Sequence, residues 1–106
     1  MVKIKFIGHA AILIKTDEVE ILIDPFITGN PVATIKTEDV NPDIVLVSHG
    51  HMDHIGDAIA LSKRTGATVY TNFEIANFVS TKGGKAHPMH IGGGFNFPWG
   101  RVQLTT

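Results

Sequence analysis

Four side chains that can bind a metal ion lie within six consecutive residues, in the pattern H-x-H-x-D-H over residues 49–54. His49 and His51 are two residues apart, and side chains so spaced on an extended chain point to the same side. Both imidazoles can therefore reach one ion at Zn–N distances of about 2.0–2.1 Å. Asp53 and His54 follow where the chain turns toward a predicted helix, and this turn can direct them toward a second ion. We predict that all four residues are metal ligands, with zinc, manganese, iron, cobalt or nickel as suitable divalent ions.

The elements on either side of this segment predict where it lies in the fold. The apolar run from Ile44 to Val47 is typical of a strand covered on both faces. Residues Asp57 to Thr65 have the spacing of a helix, and Gly66 is a suitable stop. Open α/β sheets bind their ligands at the carboxyl ends of strands, which is where the segment stands. The competing interpretation, a polar loop with incidental histidines, leaves four polar side chains at a strand end without a purpose.

The rest of the chain predicts an α/β architecture over residues 1–106. Apolar alternation before residue 24 indicates a three-stranded antiparallel meander. The later pattern is β-α-β-α with a final hairpin: helix Asp57–Thr65, strand Ala67–Thr71, helix Phe73–Thr81, an extended segment Lys85–Ile91, and hairpin strands Phe95–Pro98 and Arg101–Leu104. Two longer helices can cover one face of the sheet, so the other face is expected to expose apolar side chains.

The composition limits the kinds of metal site and of binding partner that the chain can have. The chain has no cysteine, which excludes disulfides, thiolate zinc sites, iron–sulfur clusters and cysteine nucleophiles. Any metal must therefore be bound through nitrogen and oxygen. The nine Lys and Arg residues nearly balance the ten Asp and Glu residues, so no net positive field favours nucleic acid. The N-terminus does not read as a signal peptide and no apolar run approaches the roughly 20 residues that span a bilayer, so we expect a cytoplasmic protein without membrane contact.

The histidine-rich segment resembles the signature of the metallo-β-lactamase superfamily. Three more segments resemble motifs of one branch, the small metal-dependent hydrolases related to ascorbate-phosphate lactonase: Gly8-His9-Ala10, Ile23-Asp24-Pro25-Phe26 and Met89-His90-Ile91-Gly92-Gly93. The resemblance extends from Val2 to Leu104. It implies an αββα sandwich of two similar halves, of which this chain matches the N-terminal half, with a mixed sheet and helices on one face.

The resemblance also implies roles for the predicted ligands. His49 and His51 would bind a first ion, and Asp53 and His54 a second, so the cofactor is one or two divalent ions, zinc foremost. Water bound to such ions has its pKa lowered toward about 7. The resulting hydroxide would attack an ester, a lactone or a phosphodiester in a small-molecule substrate. Asp53 would orient that water or move its proton, which makes it the predicted catalytic residue.

The family pattern continues beyond this sequence with three further ligands, a histidine, an aspartate and a late histidine. We therefore expect one half-domain over residues 1–106 that needs a partner, either the C-terminal half as a separate chain or a second copy of itself. The chain alone is expected to be inactive, because two ligands per ion bind weakly. A second hypothesis is a non-catalytic half-domain that assembles as a dimer around a structural ion. Nucleic-acid phosphodiesterase activity is disfavoured by the nearly neutral charge.

Three residues outside the segment are candidates for supporting roles. Asp24 ends a predicted strand and could accept a hydrogen bond from a ligand histidine, or it could simply form the turn before Pro25. His9, in a Gly-His-Ala turn, could face the substrate or transfer a proton, or it could be held structurally in that turn. His90 could approach the site, whereas His87 is predicted to lie on the surface.

Overall fold

A mixed β-sheet forms the centre of the structure, which is a computed structural model that describes residues 1–106. Its six strands lie in sequence order, so each strand pairs with the next one along the chain. They are β1 (Lys3–Gly8), β2 (Ala11–Lys15), β3 (Glu20–Ile23), β4 (Ile44–Leu46), β5 (Thr68–Asn72) and β6 (Lys85–Met89). The first two pairings are antiparallel and the last three are parallel. The predicted meander and the α/β class with a mixed sheet are therefore confirmed.

The other elements are short helices and a separate hairpin. They are a 3-10 turn (Thr37–Asp39), α1 (Met52–Ile55), α2 (Ala58–Thr65), α3 (Phe73–Thr81), β7 (Gly94–Phe97) and β8 (Gly100–Gln103). The side chain of Asn72 caps α3 by accepting a hydrogen bond from the Ile75 amide at 3.0 Å. Gly66 ends α2 in the left-handed conformation, as predicted. No helix combines the length and the apolar composition that crossing a bilayer requires.

The two longer helices pack on one face of the sheet, hereafter the inner face. Val45 of β4 and Val69 of β5 are fully buried there, and they pack with Ala58 of α2 and Val79 of α3. Leu22 of β3 lies opposite Val45 in the same cross-strand row and is also fully buried. The inner face is thus a continuous core, and the prediction that the helices cover one face is confirmed.

The opposite face of the sheet, hereafter the outer face, carries two rows of apolar side chains. Cross-strand register places Ile4, Ile14, Ile21 and Ile44 in one row, and Phe6, Ile12, Ile23, Leu46 and Tyr70 in the other. The β7–β8 hairpin packs on part of this face with its Phe97 and Trp99 side chains. Ile4 and Phe6 are still 70% and 65% exposed. The predicted exposure is therefore present at the β1 end, whereas the hairpin covers part of the rest.

One edge of the sheet collects nearly all the predicted site residues. β1 runs in the same direction as β3, because each is antiparallel to β2, and β4, β5 and β6 continue in that direction. Five strands therefore end at this edge, hereafter the carboxyl edge. His9 follows β1, Asp24 follows β3, the histidine-rich segment follows β4 and His90 follows β6. Carboxyl ends of strands are where open α/β sheets bind ligands.

Candidate metal site

The residues from Ser48 to Gly56, hereafter the histidine loop, leave β4 and turn into α1. His51 keeps an extended backbone (φ −66°, ψ 146°) and is the N-cap residue, so the helix begins at Met52. Asp53 then lies in the first turn of α1, where the helix dipole favours a negative charge. The sequence predicted only a polar loop here, since a helix of four residues shows no apolar period.

A glycine and an aspartate fix the end of the histidine loop against the segment that follows β3. Gly56 has a left-handed φ of 42°, and a Cβ at this position would lie 2.6 Å from the Phe26 Cα. Only glycine fits where the two backbones approach so closely. Next to it, the Asp57 carboxylate accepts hydrogen bonds from the amides of Ile27 (3.1 Å) and Thr28 (2.7 Å). These contacts hold the histidine loop next to the residues that leave β3.

The carboxylate of Asp24 is the centre of a buried hydrogen-bond network. Its Oδ1 accepts from the Ser48 amide at 2.7 Å, and its Oδ2 accepts from the Ser48 hydroxyl at 2.6 Å. The same Oδ2 also contacts Nδ1 of His54 at 2.9 Å. The residue is only 4% exposed, and its three partners satisfy the buried charge as burial requires. Asp24 therefore ties the start of the histidine loop to α1.

This network fixes which ring nitrogens carry protons. A carboxylate only accepts hydrogen bonds, so His54 must donate from Nδ1 to Asp24. The single proton of the Ser48 hydroxyl goes to Asp24, so Nδ1 of His49, 2.9 Å from that oxygen, must donate to Ser48. In both neutral imidazoles Nε2 then carries the free lone pair. A free Nε2 with an anchored Nδ1 is the usual arrangement of a metal-binding histidine.

The three imidazoles of the histidine loop lie against one another. The ring centres of His49 and His54 are 3.9 Å apart, and those of His49 and His51 are 4.8 Å apart. His54 is largely covered, with 18% of its side chain exposed, whereas His51 is an exposed residue. The structure thus brings together the three predicted histidine ligands, with His51 on the solvent side.

His9 reaches the same cluster from the β1–β2 turn. Its Nε2 lies 3.3 Å from Oδ2 of Asp53, and its ring centre is 5.2 Å from that of His54. His9 (φ 59°) and Asp24 (φ 44°) are the two non-glycine residues with a left-handed backbone. Such conformations cost of order 1–3 kcal/mol each and cluster at functional sites. Both strained residues of this chain face the histidine loop.

The donor set fits a divalent metal ion. One donor atom each from His9, Asp53 and His54 lies within 4.8 Å of the other two. The hydrogen bonds and ion pairs of the cluster include no Lys or Arg side chain. Imidazole nitrogen and carboxylate oxygen are ligands for zinc and its first-row neighbours. His49 and His51 stand beside this group of three but outside it.

His90 and His87 are outside the donor group of His9, Asp53 and His54. His90 is exposed and lines a shallow cleft with Asn72 and Phe73 further along the carboxyl edge. The predicted surface position of His87 is wrong: its ring packs 5.2 Å from both Tyr70 and Phe95, and its Nδ1 is buried without a hydrogen-bond partner. The hairpin covers this residue, and no local pattern in the sequence indicates where the hairpin packs.

Two residues that support the site were missed in the sequence. Ser48 links Asp24 to His49, a role that its position beside the histidines does not by itself indicate. Asn30 is buried, and its amide donates to the carbonyls of Gly8 (3.3 Å) and Phe26 (2.9 Å). It thereby holds the turn that carries His9. A polar residue in a Gly-Asn-Pro loop has no sequence feature that distinguishes this role from an ordinary turn.

Comparisons with known proteins agree with this geometry. The family model described as the metallo-beta-lactamase superfamily matches residues 4–104. A protein of Heliobacterium modesticaldum, named as a metal-dependent hydrolase, is 53% identical over 105 residues, which is 99% of this chain and 44% of the relative. One of Carboxydothermus hydrogenoformans with the same name is 52% identical, over 97% of this chain and 46% of the relative.

A solved structure shows the same fold. Igni18, a metallo hydrolase from the archaeon Ignicoccus hospitalis, superposes with a TM-score of 0.82 and 38% identity, over 91% of this chain and 42% of its own. The chain therefore spans about half the length of the curated relatives it matches.

Proposed function

The chain belongs to the metallo-β-lactamase superfamily, and from this premise we propose that the complete protein is a metal-dependent hydrolase. The bond that it hydrolyses would be an ester, a lactone or a phosphodiester in a small molecule. Its metal ligands in this chain would be His49, His51, Asp53 and His54. One or two divalent ions would bind, with zinc or manganese suited to these nitrogen and oxygen donors.

The hydrogen-bond network around Asp24 is the observation that carries this proposal. Asp24 accepts from His54 directly and holds His49 through the Ser48 hydroxyl. Both imidazoles are thereby held with Nε2 free before any ion arrives. An aspartate that only forms a turn has no need to hold one histidine directly and a second through Ser48. Preorganised ligands raise metal affinity, and loss of such supporting partners lowers it about 10–100-fold.

The residues of the cluster divide the chemical tasks between them. A bound divalent ion supplies a Lewis acid and a strongly acidified water near neutral pH. Asp53 is half exposed at the mouth of the cluster, where its free carboxylate oxygen can accept a proton from an attacking water. Asp24 stays buried and holds the imidazoles of His49 and His54 in place. His51 is exposed on the solvent side of the cluster.

The outer face supports the proposal that the complete fold has a second layer. Ile4 and Phe6 are largely exposed, and they continue two apolar rows that reach across the sheet. The relatives are about twice as long as this chain. We propose that residues 1–106 form one half-domain, and that the C-terminal half covers the outer face and supplies the remaining ligands.

The test joins this chain to the C-terminal part of the Heliobacterium modesticaldum relative. Hydrolysis of p-nitrophenyl acetate, a γ-lactone and bis(p-nitrophenyl) phosphate is measured with zinc or manganese and after chelation. We expect at least one substrate to be hydrolysed, with activity lost on chelation and restored by the ion. Asp53→Asn should lower kcat on the order of 100-fold or more. Asp17→Asn, which changes a carboxylate that is 87% exposed in the β2–β3 turn, should leave kcat unchanged.

A folded, metal-loaded protein without metal-dependent hydrolysis of any of these bonds would contradict the proposal. The exposed outer face also favours the alternative, a half-domain that dimerises around a structural ion. In that case light scattering would give a dimer that chelation dissociates, and the ion would have no open coordination position.

A further inference from the structure

The β1–β2 turn directs His9 toward the first turn of α1. Asn30 holds this turn by donating to the Gly8 carbonyl at 3.3 Å, and a Cβ on Gly8 would lie 3.0 Å from Val32. His9 itself has the left-handed φ of 59°. Contacts with Asn30 and Val32 therefore hold the turn, and they fix the position from which the His9 side chain extends.

The contact between His9 and Asp53 has the length of a ligand pair. Charge-assisted N–H···O hydrogen bonds are usually about 2.7–2.9 Å long, whereas His9 Nε2 and Asp53 Oδ2 are 3.3 Å apart. Two donors at about 2.0–2.1 Å from one tetrahedral ion lie about 3.3–3.4 Å from each other. The observed separation therefore matches an edge of a metal tetrahedron better than it matches a strong hydrogen bond.

His54 completes a triangle of donors. Its Nε2 lies 3.9 Å from Oδ1 of Asp53, and all three donor atoms lie within 4.8 Å of one another. Asp24 holds the other ring nitrogen of His54, so the free lone pair is on Nε2. Three protein ligands with one open position are the composition of a catalytic zinc site.

We infer that His9, Asp53 and His54 form a three-donor site that holds one divalent ion within this chain alone. His9 is the new member of the set, because the histidine-loop pattern contains only the other two. The inference rests on the proposed function for the class of ligand, a divalent metal ion, and not on any hydrolytic activity. It places the first ion on the Asp53 side of the cluster, before the C-terminal half contributes a ligand.

The test titrates the chain with Zn²⁺ by calorimetry and with Co²⁺ by its visible absorption, after circular dichroism has shown that each variant is folded. His9→Gly suits the left-handed backbone and removes the imidazole. We expect one ion per wild-type chain, and an affinity lower on the order of 100-fold in His9→Gly, since loss of a ligand costs at least as much as loss of a supporting partner. His90→Asn, which removes an exposed imidazole outside the cluster, should keep the ion.

Imidazole rescue separates ligation from a structural role. Free imidazole can enter the space left in His9→Gly, so it should restore the tetrahedral Co²⁺ absorption of that variant. It should not restore the absorption of Asp53→Asn, because imidazole does not replace a carboxylate.

Three results would overturn the inference. They are wild-type affinity in His9→Gly, loss of the ion in His90→Asn, and a folded wild-type chain that binds no ion. None of these results decides the proposed function, because the hydrolysis assay on the joined protein tests it independently. If instead the chain binds its ion through His9 and the joined protein hydrolyses nothing, the inference stands and the proposed function fails.

Discussion

The carboxyl edge and the outer face of the sheet differ in how far this chain alone supplies the contacts that their side chains need. At the carboxyl edge the buried charge of Asp24 has three partners within residues 24–54. On the outer face Ile4 and Phe6 have no cover at the β1 end. The hydrogen-bond network around Asp24 is therefore complete within this chain, whereas the apolar cover of the outer face is not. We propose that metal binding precedes assembly of the whole fold, and that catalysis requires that assembly.

The sharpest way to test this difference compares one leucine of the inner face with one isoleucine of the outer face. Leu22→Ala removes a fully buried side chain, and we expect it to lower the free energy of unfolding by about 2–5 kcal/mol. Ile4→Ala changes a side chain that is 70% exposed, and it should change that free energy by no more than about 0.5 kcal/mol. Urea unfolding followed by circular dichroism measures both values.

Equal losses in the two variants would mean that the outer face is already covered in solution. In the protein joined to a C-terminal half, the two variants should lose similar amounts of unfolding free energy, because the second layer would bury Ile4. Dissimilar losses there would contradict the proposed position of that layer.

Two glycines test how closely the histidine loop must approach the segment after β3. Gly66→Ala imposes a left-handed φ of 79° on a residue with open space around its Cβ, so it should cost about 1–2 kcal/mol. Gly56→Ala adds a clash with the backbone of Pro25 and Phe26, and overpacking of this kind costs about 1–3 kcal/mol more. Thermal unfolding of the two variants measures the difference. A Gly56→Ala variant as stable as Gly66→Ala would show that the two segments are not in contact.

Asp24→Asn tests the network at the carboxyl edge with the smallest change of shape. Asparagine tolerates the left-handed φ of 44°, so the backbone is retained. Its amide has one oxygen where the carboxylate has two, so an NH2 group must face either the Ser48 amide or the Ser48 hydroxyl and His54. A buried donor left unpaired in this way costs about 1–3 kcal/mol. We expect zinc affinity to fall about 10–100-fold, as it does when supporting partners of ligand histidines are removed.

Calorimetric titration of Asp24→Asn beside Asp43→Asn provides the comparison. Asp43 also accepts a backbone hydrogen bond, from Glu20, but it lies at the other end of β4, so its substitution should leave zinc affinity unchanged. Equal zinc affinity in the two variants would show that Asp24 does not hold the ligands.

The sequence predicted the parts of the fold and site that have a local pattern. Apolar alternation before Asp24 and the helical spacing after Asp57 located the strands and α2, and the histidine spacing located the cluster. Asp24 was foreseen as a partner of the histidines because it ends a strand. The family resemblance supplied the fold of which these elements are a part.

What the sequence missed depends on contacts between distant residues. The Asn30 bonds to Gly8 and the 3.3 Å approach of His9 to Asp53 join segments 22 and more residues apart. No periodicity or motif encodes such pairs, since they depend on the order of strands in the sheet. The position of His87 beneath the hairpin was missed for the same reason.

We propose above all that the carboxyl edge of this chain binds a divalent ion through its own imidazoles and carboxylate. X-ray absorption at the zinc edge, on the chain loaded with one equivalent of Zn²⁺, tests it most directly. We expect nitrogen and oxygen ligands at about 2.0–2.1 Å, with the multiple-scattering signal of two imidazoles. A shell of oxygens alone, without that imidazole signal, would contradict it.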